Sequence, residues 1–197
     1  MTTNYDSNEE LYFSWYINEL HEAGFIESIE YHPKAFSLFA KQSRSYDKQL
    51  KTKIISVQES LFNAHEYQAD FLIWWNKDIA KDIFITNINS NERLFGKDPK
   101  IFITNTSKNT GKEYSIIDVK GNYNQNDAYR RFSIDQKWVY ANYNLYVQKI
   151  IPAPGLFQRT FTPDRYCKCD NKILQDRKIN FTVRSLKMYL AKFQPES

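Results

Sequence analysis

The chain has 197 residues, a mass of 23.5 kDa and a formal net charge of +4 at pH 7, which suits one domain with a real hydrophobic core. No apolar run approaches a membrane span, and the acidic, polar opening through Glu9 and Glu10 has neither the basic nor the apolar region of a secretory signal, so a cytoplasmic protein with no membrane partner is expected. Aromatic residues make up 16% of the chain against only five glycines, which argues for a packed globule and against disorder.

In chain order, a helix is expected from about Ser7 to Ala23, ended by Gly24, with Phe13, Ile17 and Leu20 as its buried stripe. The segment Phe25 to Tyr31 alternates and stops before Pro33, so it reads as a strand, as does Ala35 to Ala40. Lys51 to Val57 and Tyr67 to Trp75 are the next two strands. Asp82 to Ile88 and Lys100 to Asn105 share an Ile-Thr-Asn ending and are expected to form a hairpin across the polar loop Asn89 to Pro99. Glu113 to Val119 reads as a strand, Asn126 to Tyr143 as a helix and Leu145 to Ile151 as a strand, closed by Pro152-Ala-Pro-Gly155. A strand at Lys178 to Thr182 and a short amphipathic helix at Arg184 to Lys192 complete the chain.

The charge is distributed unevenly. Residues 1–33 carry seven acids and no lysine or arginine, which leaves +11 on the remainder. A basic body with one acidic segment fits a protein that holds a polyanion and keeps carboxylates for a metal, or equally a lysine-rich soluble surface. Cys167 and Cys169 flank Lys168 while His21, His32 and His65 are scattered, so a four-ligand zinc site is not expected and the thiols fit a reducing compartment.

The segment Tyr114-Ser-Ile-Ile-Asp118-Val-Lys120-Gly121 carries the most chemistry. Asp118 and Lys120 are two apart, so on a strand they share a face. A second acid, Asp70, lies on another apolar strand, within Gln68-Ala-Asp70-Phe-Leu-Ile-Trp74-Trp75. Carboxylates of this kind hold a hard divalent cation, and a neighbouring ammonium orients or helps deprotonate an attacking water. Asp118-Val-Lys120 alone is a weak motif; its place at the end of an apolar strand strengthens it. On the first helix Glu10 lies on the side of Phe13 and Ile17, Glu9 flanks it, and Glu19 and Glu22 are expected to face solvent. Ser7 to Glu10 is also a capping box, so helix capping and metal ligation stay open for Glu10.

Read together, these pieces resemble the PD-(D/E)XK nuclease superfamily over most of the chain, and in particular small phage-encoded members related to endonuclease I and the Holliday junction resolvases. Ser7-Asn-Glu9-Glu10 is similar to the Ser-x-x-Glu of those branches, Asp70 stands at the family's strand aspartate, and Asp118-Val-Lys120 at its acid-x-Lys. Gln136-Lys-Trp-Val-Tyr140 is similar to the Gln-x-x-x-Tyr of the RecB-like branch. The chain departs from the pattern in three places. Ala69 replaces the usual proline, the distance from Glu10 to Gly24 is about one turn longer than usual, leaving Glu9 as a substitute, and Asp70 and Asp118 are unusually far apart in sequence.

The resemblance implies a single 1–197 domain of α/β (α+β) class, with a restriction-endonuclease-like core. A central mixed sheet would be flanked by helices, with residues 76–112 as a β-hairpin insertion. It implies a Mg²⁺-dependent (or Mn²⁺-dependent) DNA endonuclease, structure-specific for branched or junction DNA in phage replication, recombination or packaging, leaving 5′-phosphate and 3′-hydroxyl ends. Asp70, Asp118 and the Val119 carbonyl would hold one metal and Glu10 a second or a bridging water. Lys120 would orient the nucleophile, and Gln136 would steady that lysine or a phosphate. Arg130, Arg131, Lys137, Tyr140 and Arg159 would contact DNA. A non-catalytic DNA-binding protein on the same fold and a DNA exonuclease are the alternatives, and a homodimer stays open.

Overall fold

The computed structural model describes residues 4–86, 100–122, 127–168 and 179–191. Among these the fold is mixed α/β: a six-stranded sheet with helices on both faces. Helix α1 (Asn8–Glu22) starts where the Ser7 side chain accepts the Glu10 N–H, and it ends at Gly24, whose φ of +82° is the left-handed conformation glycine adopts without strain. Strands β1 (Ile26–Tyr31), β2 (Phe36–Phe39), β3 (Gln42–Gln49), β4 (Ile54–Phe62), β5 (His65–Tyr67) and β6 (Phe71–Trp75) follow. After the short helix α2 (Lys77–Ala80) come β7 (Phe84–Thr86), β8 (Phe102–Thr106) and β9 (Glu113–Val119). Helix α3 (Asp127–Tyr143) and β10 (Val147–Ile150) complete the sheet region. A wide turn over Pro152–Leu156 then leads into short helical pieces at Phe157–Arg159, Asp164–Cys167 and Leu186–Leu190.

The sheet runs β1-β6-β9-β8-β7, with β10 also on β9. Strands β6 and β9 are near-continuous apolar runs because both of their faces are covered. Phe71, Ile73, Trp75, Ile117 and Val119 pack against Phe13, Tyr16, Ile17 and Leu20 of α1. On the other face, Ile116 packs with Phe132 and Val139 of α3 and with Leu38 and Tyr67 of the separate β2–β5 ribbon. The stripe expected on α1 is thus the core, with Phe13, Ile17 and Leu20 all fully buried. No helix among the described residues is long and apolar enough to cross a membrane.

Several expectations are overturned. The strand expected over Tyr67 to Trp75 is divided between β5, which pairs with β2, and β6 in the main sheet. Residues 82–105 are not a hairpin: β7 and β8 pair in parallel, Phe84 to Phe102, Ile85 to Ile103 and Thr86 to Thr104, and β8 joins the sheet beside β9. The repeated Phe-Ile-Thr sequence marks two parallel strands in register, each offering the same pleated surface. A hairpin lies upstream instead, in β3 and β4, which pair from Gln42–Phe62 to Gln49–Ile54 and pair with no third strand among the described residues. The loop Asn89 to Pro99, the helix start at Asn126, Cys169, the strand start at Lys178 and Lys192 lie outside the described residues. The described part of the expected strand 178–182 is irregular, and the last helix is shorter than expected, Leu186–Leu190 capped by Ser185.

Candidate metal-dependent active site

Antiparallel pairing determines which residues meet. Because β6 and β9 run in opposite directions with Phe71 opposite Ile117, the start of β6 lies beside the end of β9, and Asp70 falls next to Asp118. Alternation along both strands turns Asp70 and Asp118 to the α3 face, away from Phe71 and Ile117. A side-chain oxygen of Asp70 accepts the Val119 N–H at 2.5 Å, and the Asp70 backbone N–H donates to the Ile117 carbonyl at 3.0 Å, which locks the junction.

Asp118 is only 3% exposed. Its Oδ2 accepts the Tyr67 hydroxyl at 2.7 Å. Its Oδ1 is held by the Lys120 ammonium in an ion pair. Lys120, with a side chain 23% exposed, lies over the Phe132 ring of α3 at 5.8 Å, so the cation is held between a carboxylate and an aromatic face. Burial and then the Asp118 carboxylate push the Asp70 carboxyl up to about 7, against the pull of the Val119 N–H and Lys120. Burial likewise raises Asp118, opposed by Lys120 and Tyr67. The Tyr67 hydroxyl is driven far above its ordinary range by burial and by Asp118, so it stays protonated and donates to Asp118.

Glu10 approaches from the other side of the sheet end. It is 7% exposed and accepts from the Ser7 hydroxyl at 2.8 Å, the Asp6 N–H at 3.2 Å and the Tyr31 hydroxyl at 2.6 Å. Its charge is felt by both Asp70 and Asp118. Capping and proximity to the aspartates therefore coexist in this residue. Glu9 sits one step along, where a Cβ built on Gly121 would lie 3.3 Å from its Oε1, so it borders the strand end without entering the carboxylate pair. Among the described residues, the three potential ligands able to bring one atom each within 4.8 Å of one another are Asp6, Glu10 and His32. His32 Nε2 stands 3.7 Å from Asp6, and the His32 backbone N–H donates to the Asp70 carbonyl at 2.9 Å, so this group adjoins the aspartates; Glu10, Asp70 and Asp118 do not themselves form such a three-ligand group among the described residues.

The remaining predicted residues separate. Gln136 donates to the Val147 carbonyl at 2.6 Å, securing β10 to α3, and lines a half-open cleft of about 530 Å³ with Phe132, Lys149 and Arg159. Tyr140 lines a different cleft with Tyr114 and Tyr146, at the far end of β9 from Asp118. Arg130, Arg131 and Lys137 are exposed on α3, and Arg159 is exposed beyond β10. Glu19 is not solvated as expected: it accepts the Asp164 N–H at 2.5 Å, and its partial burial raises its pKa. Sequence reading missed Tyr67, Asp6 and His32. Tyr67 carried no spacing signal, because it reaches Asp118 from β5, which pairs with β2 outside the main sheet.

Comparison with known proteins returned no match to a family model, a curated protein or a solved structure.

Proposed function

We propose that this protein is a metal-dependent DNA endonuclease with a PD-(D/E)XK-like core, acting on branched or junction DNA. The observation that carries the reading is the pairing of Asp70 and Asp118 beside Lys120 at one end of the sheet, with the Asp70 carboxyl lifted to about 7. Adjacent carboxylates that repel one another in this way, Asp118 buried and Asp70 half-buried, suit a hard divalent cation, which would share Asp118 Oδ1 with Lys120. Asp70, Asp118 and the Val119 carbonyl would hold Mg²⁺ or Mn²⁺, with Glu10 available to a second ion or a bridging water. When bound, such a cation offsets phosphate charge and makes a bound water acidic enough to ionise near neutral pH.

The chain's own groups then divide the work. Tyr67 holds Asp118 by donating to Oδ2, and the Val119 N–H holds Asp70, so neither carboxylate must reorganise. Lys120 places a positive charge where an attacking oxygen and a developing phosphate charge would lie. Arg130 and Lys137, seven apart on α3, would present an exposed basic stripe to phosphates, with the exposed Arg131 beside it. Gln136 supports the site through β10, given its bond to Val147.

Incubation with supercoiled plasmid, linear duplex and a four-way junction, with Mg²⁺ or with EDTA, tests the reading. Internal cutting that needs Mg²⁺ and favours the junction is expected. Salt-sensitive binding without cutting would point to a binding module, and shortening from ends alone would point to an exonuclease.

A further inference from the structure

The β3–β4 ribbon is built unlike the rest of the molecule. All eight residues of β3 are exposed, and β4 is exposed except for the half-buried Ile55 and Val57. Two strands without a third are marginal on their own. The ribbon is anchored at its base, where Phe39 packs edge-on against Phe62 and Trp138 and where His65 bonds Asp135 of α3 at 2.6 Å. Beyond that base it carries charge in place of core. Residues 41–62 contain five cations (Lys41, Arg44, Lys48, Lys51 and Lys53) and two acids, Asp47 and Glu59, for a balance of +3.

The register arranges that charge. Opposing Arg44 to Glu59, Tyr46 to Val57 and Lys48 to Ile55 turns Arg44, Tyr46 and Lys48 to one face, while Lys51 and Lys53 occupy the turn. Arg44 is bonded to Glu59 at 2.7 Å and stacked over Tyr46 at 5.4 Å. The other face is mostly serine and glutamine, groups that hydrogen-bond without preferring a buried partner. The ribbon rises from the α3 side of the sheet, the side that Asp70, Asp118 and Lys120 face. After β4 the chain needs only β5 to reach Tyr67, which bonds Asp118.

We propose that this ribbon is an arm that grips the DNA duplex flanking the cleavage site. The choice of DNA as the polyanion rests on the proposed function; the charge, exposure and position of the arm do not. Eight residues extend about 27 Å, and a two-stranded ribbon fits the major groove of B-form DNA, which is about 12 Å wide. A second copy of the chain is a poorer occupant, because pairing two such arms would bring +3 against +3. The arm's lysines act on phosphates and so supply grip and orientation without sequence preference.

The test is binding of a short duplex in EDTA across a series of salt concentrations, followed by fluorescence anisotropy. It compares the wild-type protein with the triple variant Lys48→Ser, Lys51→Ser, Lys53→Ser and with the Lys→Arg triple. The serine variant should lower the slope of log affinity against log salt by about two to three and weaken binding by about tenfold or more at physiological salt; the arginine variant should restore both. A shortened variant, with residues 43–60 replaced by a brief Gly-Ser turn, should bind as weakly as the serine triple and covers the case in which the point variants misfold. Serine and shortened variants that bind like wild type would overturn the arm. So would a wild-type dimer that the same changes make monomeric while DNA affinity is unchanged. Arm-dependent binding by a protein that cuts no DNA with Mg²⁺ would leave the arm standing and remove the nuclease reading instead.

Discussion

Replacing Asp70 by asparagine keeps the side-chain shape and an acceptor for the Val119 N–H, and removes one of two adjacent charges, the half-buried one. At low pH, below the ordinary carboxyl value of 3.8, Asp70 is protonated in folded and unfolded chains alike. As pH rises, the unfolded chain releases its proton first, and folded stability falls until Asp70 ionises at about 7. At about 1.4 kcal/mol per tenfold change in proton affinity, the ionised carboxylate costs the metal-free fold on the order of 4 kcal/mol above that pH. Asp70→Asn should therefore be more stable than wild type by about 2–4 kcal/mol near pH 8.5 in EDTA, and about equal to it near pH 4. Urea unfolding at the two pH values measures this directly. Saturating Mg²⁺ should reverse the order at alkaline pH, because the cation binds the native wild-type site. A difference that does not change with pH, or a variant weaker than wild type at alkaline pH in EDTA, would refute the electrostatic reasoning.

Lys120→Ala should lose most cleavage while Mg²⁺ binding, followed by calorimetry, persists, since the carboxylates supply the ligands. Tyr67→Phe removes the donor to a buried carboxylate oxygen and should cost about 1–3 kcal/mol of stability by urea unfolding. Gln136→Leu leaves the Val147 carbonyl without its donor; it should cost about 1 kcal/mol in the same measurement and leave the cleavage rate within about twofold of wild type. Ser7→Ala should cost about 1 kcal/mol through the lost cap.

Much of the scaffold was legible because its signals are local. The cap at Ser7, the stripe Phe13–Ile17–Leu20 and Gly24 bound α1 within a residue of the expectation. The apolar runs of β6 and β9 could only be central strands, and a period of two placed Asp118 with Lys120. What was not legible depends on pairing. Gln-Ser-Arg-Ser-Tyr-Asp-Lys-Gln of β3 has no apolar alternation because neither of its faces is buried, so β3 gave no strand signal, while its partner β4 was expected only as Lys51 to Val57. The Phe-Ile-Thr repeat fixed two strands but not their relative direction, and direction distinguishes a hairpin from a parallel pair. Gln136 could be placed on a polar position of α3 by spacing, but whether it reached Lys120 or the Val147 carbonyl depended on where β10 docked. His32 adopts a φ of +51°, which no sequence pattern indicated, and that turn brings its ring to Asp6.

If Asp118, paired with Asp70 and Lys120, makes this fold a Mg²⁺-dependent nuclease, its carboxylate is indispensable to cutting and dispensable to DNA binding. The decisive measurement is cleavage of a four-way junction at saturating protein, titrated with Mg²⁺, by wild type and by Asp118→Asn. Wild type should cut internally and only with Mg²⁺, and the variant should lose at least about a hundredfold in rate, with junction binding in EDTA intact or tighter. Equal cutting by the two proteins, or none by wild type at any Mg²⁺ concentration, would contradict the assignment.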